Sequence, residues 1–413
     1  MPKPSVHDPF AALRFRDYRL YTLALLLATM GYQMQSVAIG WELYERTNSA
    51  FALGLVGLVQ VIPILLLSLP AGQLADRFER KHTVMWTLVM LAICSVGLAA
   101  LSYKQGSIEL IYACLGLGGV ARAFNQPASE ALLPQLVPLS VFSNAATWHS
   151  SSFQLATVVG PALGGLIIAL QNSATEVYGL DAALSLTSLG LIVPIVRQRS
   201  TPLTEPVSLK TLAGGIQFVW QHQVILAAIA LDLFAVLLGG AVTLLPIFAR
   251  DILHVGASGL GWLRAAPSIG AVLMAVTLAY LPPLKQAGKT LLWAVAGFGV
   301  VTIIFGLSHW FWLSLLMLAL SGAFDNVSVV VRRTLVQVGT PDSLRGRVSA
   351  VSAVFIGASN ELGGFESGLA AALLSPVGAV VMGGMGTIVV VLTVALLSPK
   401  IRQLSSLQPT LDH

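Results

Sequence analysis

The chain is predicted to be an all-α membrane protein of twelve transmembrane helices in two six-helix bundles, and three observations carry that reading. Of its 413 residues, 56% are hydrophobic and 10% charged, with a mean hydropathy of +0.81, whereas soluble domains carry about 25% charged residues. The apolar residues gather in about a dozen blocks roughly 20 residues long, each sufficient to cross a bilayer. A polar stretch containing Pro202 and Pro206, RSTPLTEPVSLKTLAG from Arg199 to Gly214, divides these blocks at mid-chain. A water-soluble globular fold is thereby excluded. A membrane barrel would need segments of about ten residues with alternating polarity, and the continuous apolar runs here are too long for that. The mid-chain stretch is the longest polar one and is too short to bury a core of its own, which argues against an enzyme with a large aqueous domain.

The first span, about 18–44, follows the polar and basic segment MPKPSVHDPFAALRFRDYRL, which lacks a short apolar core with a small-residue cleavage site; no cleaved signal peptide is expected. Five more spans follow at about 50–73, 82–103, 108–133, 144–170 and 178–197. A second set is placed at about 217–247, 256–281, 289–308, 310–335, 346–373 and 376–398. The expected organisation is an N-terminal bundle over 1–198, a linker over 199–214, a C-terminal bundle over 215–398 and a tail over 399–413. Cys94 and Cys114 each sit inside an apolar block and read as packing residues.

An even number of spans puts both termini on one side, and most of the 23 Lys and Arg residues fall on that side. They include Lys3, Arg14, Arg16 and Arg19 before the first span, Arg77, Arg80 and Lys81 after the second, Arg332 and Arg333 at the end of the tenth, and Arg345 and Arg347 at the start of the eleventh. Opposite lie Arg46, Lys104 and Arg250, while Arg122 and Arg264 fall within spans. Basic residues stay in the cytoplasm, so both termini are expected there. The net charge of +5 reflects topology, and no nucleic-acid partner is expected.

The two halves carry a weak internal repeat. A shift of about 203 residues lays Pro138 on Pro341, Ser140 on Ser343, Gly160 on Gly363 and Gly165 on Gly368. Duplication of this kind marks transporters whose halves rock around a site near the bilayer midplane.

Charges at mid-membrane are costly and tend to face a wet cavity or a partner. Helix 1 carries Gln33, Gln35 and Glu42; helix 4 Arg122, Asn125 and Gln126; helix 5 His149 and Gln154; helix 7 Asp232. Helix 8 carries Arg264, helix 10 Asp325 and Asn326, and helix 11 Asn360, Glu361 and Glu366. Helices 3, 6, 9 and 12 show no ionisable residue away from their ends and are expected to face lipid all round. The polar groups then converge on a cavity shared by both halves, with more acids than bases. A carboxylate held away from water can exchange protons near neutral pH, as a proton-coupled carrier requires.

Asp325 or Glu361 is therefore a candidate proton carrier, or alternatively is locked in an ion pair with Arg122. Glu42 and Glu366 are expected at a solvated outer rim, and Asp232 can pair with a substrate cation or cap a backbone carbonyl. Arg122 can steady a substrate anion or pair with an acid. His149 has no second ligand in register, so no metal site is expected there, and Trp41, Trp148 and Trp262 read as interfacial anchors. The candidates for proton coupling or substrate binding are thus Glu42, Arg122, Asn125, Gln126, Asp232, Asp325, Asn326, Asn360 and Glu361.

Two stretches read as gates. Gly72 to Lys81, GQLADRFERK, follows the second span; its glycine permits close helix approach, Asp76 can face a helix N-terminus and its bases fix the loop. Gly160 to Gly165, GPALGG, sets a helix breaker among three glycines in helix 5.

With these residues the chain resembles the major facilitator superfamily, whose G-x-L-A-D-R-x-x-R-K signature between helices 2 and 3 it matches from Gly72 to Lys81. The GPxxGG stretch is similar to the antiporter motif of proton-coupled exporters, although Ala156 replaces the glycine often found four residues before the GP pair. Pro341 to Val348, PDSLRGRV, resembles the PDxxRGRV element of the bacterial subgroup of enterobactin exporters and macrolide-efflux proteins. The resemblance covers the whole chain, but the second copy of the first motif, around Pro282 to Lys289, has lost its Gly and Asp-Arg pattern.

The resemblance implies the major facilitator fold, alternating access and proton-driven export at the bacterial cytoplasmic membrane. The implied gate is Gly72, Asp76, Arg77, Arg80, Lys81, Gly160, Pro161, Gly164, Gly165, Arg345 and Arg347, with Asp76 meeting the start of helix 11 in the outward-open state. The expected function is export of a small amphipathic compound, drug-like or siderophore, by a monomer exchanging protons in the lipid bilayer without a cofactor. Metal-ion or lipid export is the alternative within the same fold. A membrane-bound enzyme or receptor-like protein is the remote one, since no nucleophile with a base, zinc spacing or phosphate loop is present.

Overall fold

The computed structural model describes residues 8–77, 79–196, 216–282 and 286–403; the side chains of 68–70, 72–77, 342–343, 345–347, 349–351, 353–354, 400 and 403 fall outside that description. Among the described residues the chain forms α1 (Arg16–Thr47), α2 (Ala50–Arg77), α3 (Arg80–Tyr103), α4 (Ile108–Leu132), α5 (Phe142–Gln171) and α6 (Thr175–Ile192). The second half forms α7 (Gln223–Ile252), α8 (Gly256–Tyr280), α9 (Ala287–Leu307), α10 (Phe311–Gly339), α11 (Asp342–Leu373) and α12 (Pro376–Leu397). Helices satisfy their own backbone groups, which lipid cannot do. Nine described stretches are long and apolar enough, by length and composition, to cross a bilayer. Turns between spans are short: α1 and α5 end at Asn48 and Asn172, both left-handed at φ 47 and 52, a conformation asparagine tolerates better than most residues.

The helices pair in two equivalent sets. In the first half α1 lies against α5 and α6, α3 against α4 and α6, and α2 against α4; in the second, α7 lies against α11 and α12, α9 against α10 and α12, and α8 against α10. Adding six to each helix number of the first set yields the second. Between the halves the main contacts are α2 with α11 and α5 with α8, which the same operation exchanges.

The repeat glycines sit at these equivalent crossings. A methyl at Gly160 would meet the α1 backbone at Met30, and one at Gly363 the α7 backbone at Val236 and Leu237. Gly165 lies on Ala257 and Gly261 of α8, whereas Gly368 lies on Gly54 of α2. Gly160 and Gly363 therefore each hold their own half together, and Gly165 and Gly368 join the halves. Close backbone approach of this kind is how helices associate without a hydrophobic drive between them.

Four expectations need correction. Span seven is not a single helix from residue 217: α7 breaks at Gly239 and Gly240, between Gln223–Leu238 and Ala241–Ile247, and ends in one π turn, Phe248–Ile252. The adjacent glycines provide the weak point, and a methyl on Gly240 would strike Gly363 and Ser367 of α11. Secondly, Arg332 is no surface cation that merely marks the side of the termini. Helix α10 continues to Gly339, so Arg332 is 3% exposed within the bundle.

Thirdly, α6 does carry an internal ionisable residue, because it begins at Thr175 and places the 5% exposed Asp181 in its second turn. Every third helix faces lipid on one side only: α3 exposes Trp86, Ile93 and Val96 outward but turns Thr87, Ser95 and Ser102 inward. Fourthly, Glu42 is no solvated rim residue. It is 5% exposed and paired with Arg46 at 3.2 Å, beside Tyr178 of α6. The predicted linker, 199–214, and residues 404–413 of the tail lie outside the described residues.

Candidate functional site

The break in α7 frees backbone at mid-span, which is tolerated where it lines a cavity. Gly239, Gly240, Ala241, Val242 and Thr243 border a cavity of about 410 Å³. Its far wall is apolar and aromatic, from Phe298, Val301 and Phe305 of α9 and Met317 and Leu318 of α10, and Asp325 stands on the same α10 face. A second lobe of about 100 Å³ joins it and is more polar, lined by Tyr32 and Ser36 of α1, Gln60 of α2, Arg264 of α8, and Asn360 and Glu361 of α11. Arg264, Thr243, Asn360, Glu361 and Gly364 border both lobes.

The polar lobe joins the halves electrostatically. Arg264 Nη2 donates to Ser36 Oγ at 2.6 Å. Arg122 of α4 lies over the Tyr32 ring, 4.4 Å from its centroid, a cation–π contact that holds the guanidinium beside the lobe without neutralising it. The charges of Arg122 and Arg264 both act on the Glu361 carboxylate. Glu361 thus feels cations from both halves, while Asp325 has no ion-pair partner among the described residues. The cavity closes on the side away from the termini, where Phe51 of α2 meets Phe365 of α11 at 6.2 Å between ring centroids. On that side Arg250 Nη1 donates to Asn48 Oδ1 at 3.0 Å, and the Tyr44 hydroxyl donates to Asp251.

Several candidate residues stand elsewhere. Asp232 does not reach the main cavity: it forms an ion pair with Arg332, linking α7 to α10, and a void of about 10 Å³ separates it from Asp325. That void is of a size for about one water. Asn125 points into its own bundle and donates to Thr87 Oγ1 of α3 at 2.7 Å. Gln126 is exposed and donates to Glu130 one turn along, while the Asn326 side-chain oxygen is buried with no hydrogen-bond partner among the described residues and Asn326 lines neither lobe. Arg122 forms no ion pair with Asp325; its carboxylate neighbours are Glu361 and Asp181.

Within the gate, Gly160 and Gly164 pack on α1, while Pro161 and Gly165 pack on Gly261 of α8. Arg80 caps α4 through the Ala131 carbonyl at 2.9 Å, and Lys81 donates to the Val193 and Ile195 carbonyls after α6. The Gly72, Asp76, Arg77, Arg345 and Arg347 side chains lie outside the described residues. Trp148 donates to the Pro9 carbonyl at 2.9 Å, and His149 stacks on Tyr21. Among the described residues no three His, Cys, Asp or Glu side chains gather as metal ligands.

Tyr32, Ser36 and Arg264 were not on the candidate list although they shape the polar lobe. One signal was available: Tyr32, Ser36, Ile39 and Gly40 recur at helical spacing along one face of α1. Arg332 was legible in the same way, seven residues and about two turns beyond Asp325.

Two pseudo-equivalent six-helix bundles around a shared, charged cavity define a multi-pass membrane transporter of the major facilitator fold, not an enzyme. Residues 7–411 match the model of the Transmembrane secretion effector family, and the chain belongs to that family. It is 27% identical to the enterobactin exporter EntS of Citrobacter koseri, over 96% of this chain and 95% of that one. It is 26% identical to EntS of Escherichia coli O1:K1, over 95% and 94%. Among solved structures, a bacterial homologue of the iron transporter ferroportin in its inward-facing state superposes with a TM-score of 0.71 at 16% identity, over 94% of this chain and 99% of that one. A D-xylose–proton symporter superposes with a TM-score of 0.70 at 16% identity, over the same shares.

Proposed function

We propose that this inner-membrane protein exports a small amphipathic compound, a catecholate siderophore of the enterobactin kind, in exchange for protons by alternating access. The observation that carries the reading is the two-lobed cavity: an aromatic and aliphatic wall for flat rings continues into a lobe where Arg264 and Asn360 can hold their oxygen edge. The similarity to enterobactin exporters supports the substrate class. Glu361 serves as the coupling acid. Ionised, it accepts a hydrogen bond from a catechol hydroxyl while Arg264 and Asn360 hold the neighbouring oxygens; protonated, it has lost the charge that receives that hydroxyl. Proton and substrate then compete for the same carboxylate, which is what an exchanger needs. Asp325, at the inner end of the apolar lobe, is the reserve proton site.

Both termini lie in the cytoplasm, as the distribution of basic residues indicates. The closed side is then periplasmic, and the conformation faces inward to collect its load. The carrier works as a monomer, each chain enclosing its own cavity.

Reconstitution in proteoliposomes with radiolabelled enterobactin tests this directly. Inside-out carriers in vesicles with an acidic lumen are expected to take up the siderophore, and Arg264→Ala to slow uptake at least tenfold. Uptake no faster than in empty liposomes, by folded protein, would overturn the assignment. Movement of a divalent cation instead would establish the metal-export alternative.

A further inference from the structure

Asp181 is a buried acid that the cavity does not use. It lies six residues into α6, about 9 Å from the helix end at 1.5 Å per residue, and is 5% exposed. Ser95 Oγ of α3 lies 2.6 Å from its Oδ2. The same hydroxyl is 2.9 Å from the Leu91 carbonyl and accepts from Gln35 Nε2 of α1 at 3.1 Å. Asp181 rests directly on Gly31 of α1, where any side chain would collide with its carboxylate.

The hydroxyl has one proton for two acceptors. With Asp181 ionised, Ser95 turns its proton to the carboxylate, and the Leu91 carbonyl keeps only its helical backbone partner. With Asp181 protonated, the acid donates to Ser95 Oγ, Ser95 donates to Leu91 and Gln35 still donates to Ser95. The protonated form makes one hydrogen bond more, and releasing the proton leaves a charge in a dry interior.

Helix α1 is the wall between this acid and the cavity. Gly31 and Gln35 face Asp181 and Ser95, while Tyr32 and Ser36, each one residue on, face the polar lobe. Arg122 stands on Tyr32, and its charge acts on Asp181 on one side and on Glu361 on the other. Other titratable groups on these helices include Cys94 beside Ser95 on α3, Tyr32 and Glu42 of α1, and Glu176 and Tyr178 on α6 itself. The outer half of α5, 156–171, carries none. Arg122 is therefore the cation that senses both acids.

We propose that Asp181 is a second proton-binding site, outside the transport cavity, which shares Arg122 with Glu361, so that loading a proton on Asp181 frees Arg122 to favour an ionised Glu361. The proposal rests on the proton-coupled reading above for its role in transport, but the site itself can be detected without substrate.

The experiment is infrared difference spectroscopy of the full chain in liposomes, stepping from acidic to alkaline pH. Wild type is expected to lose a protonated-carboxyl band that Asp181→Asn lacks from the outset. Glu361→Gln is expected to retain that band but to move the pH of its loss, because Arg122 is no longer shared. Should Asp181→Asn not fold, Ser95→Ala keeps the acid and removes its hydrogen-bond partner, so the band is expected to shift in frequency. Identical bands in wild type and Asp181→Asn, or an unmoved band in Ser95→Ala, would overturn the proposal. A band assigned to Asp181 in a carrier that moves no protons would instead overturn the coupling reading and leave the site standing.

Discussion

The ion pair between Asp232 and Arg332 offers the sharpest test of the second bundle. Asp232→Asn keeps the shape of the side chain but leaves a guanidinium with a 4% exposed side chain and no other carboxylate paired with it among the described residues. Breaking a buried pair by removing one partner costs about 3–5 kcal/mol, because the remaining charge stays desolvated. For a unit of roughly 180 residues each kcal/mol moves the midpoint by about 2–4 °C, so thermal unfolding in detergent is expected to fall by roughly 6–20 °C. Replacing both partners, Asp232→Leu with Arg332→Met, removes the stranded charge and is expected to recover most of that loss or exceed wild type. A single variant that melts within about 2 °C of wild type would refute the reasoning, as would a double variant no more stable than the single one.

Three other perturbations follow from the geometry. Gly165→Leu forces a side chain into the α5–α8 crossing against Ala257 and Gly261; it is expected to abolish transport and to raise thiol labelling of a cysteine placed near the far-side opening, and unchanged labelling would speak against closure there. Tyr44→Phe removes the hydroxyl that donates to Asp251 and is expected to destabilise the closed far side by about 1 kcal/mol, read as a several-fold increase in the same labelling. Arg264→Lys keeps the charge but loses the planar fork that reaches Ser36; enterobactin binding, followed by tryptophan fluorescence, is expected to weaken about tenfold with the fold unchanged.

How much of this was legible follows from the range of the forces involved. Spans are set by local hydropathy, so their order, number and approximate ends can be read from the chain, and the repeat of Gly160 with Gly363 and of Gly165 with Gly368 marks real crossings. Helix ends are less secure: an earlier start of α6 than expected buries Asp181. Arg332 lay inside the expected tenth span, and only packing shows that it turns into the bundle. The convergence of Asn360, Glu361 and Asp325 on one cavity was anticipated from their depth. The inward turn of Asn125 toward Thr87 and the pairing of Asp232 were not, because the face a polar residue presents depends on neighbours far along the chain. The Gly239–Gly240 break was visible as a pair of glycines, but its place opposite Gly363 of α11 emerges only from packing.

The claim on which the account turns is that Glu361 exchanges its proton for the substrate. In inside-out vesicles with an imposed acid interior, adding enterobactin to the wild-type protein is expected to release protons and collapse the gradient. Glu361→Gln, folded and still binding the siderophore, is expected to release none. Proton release by Glu361→Gln at the wild-type rate, or siderophore movement by wild type with no proton movement at all, would contradict it.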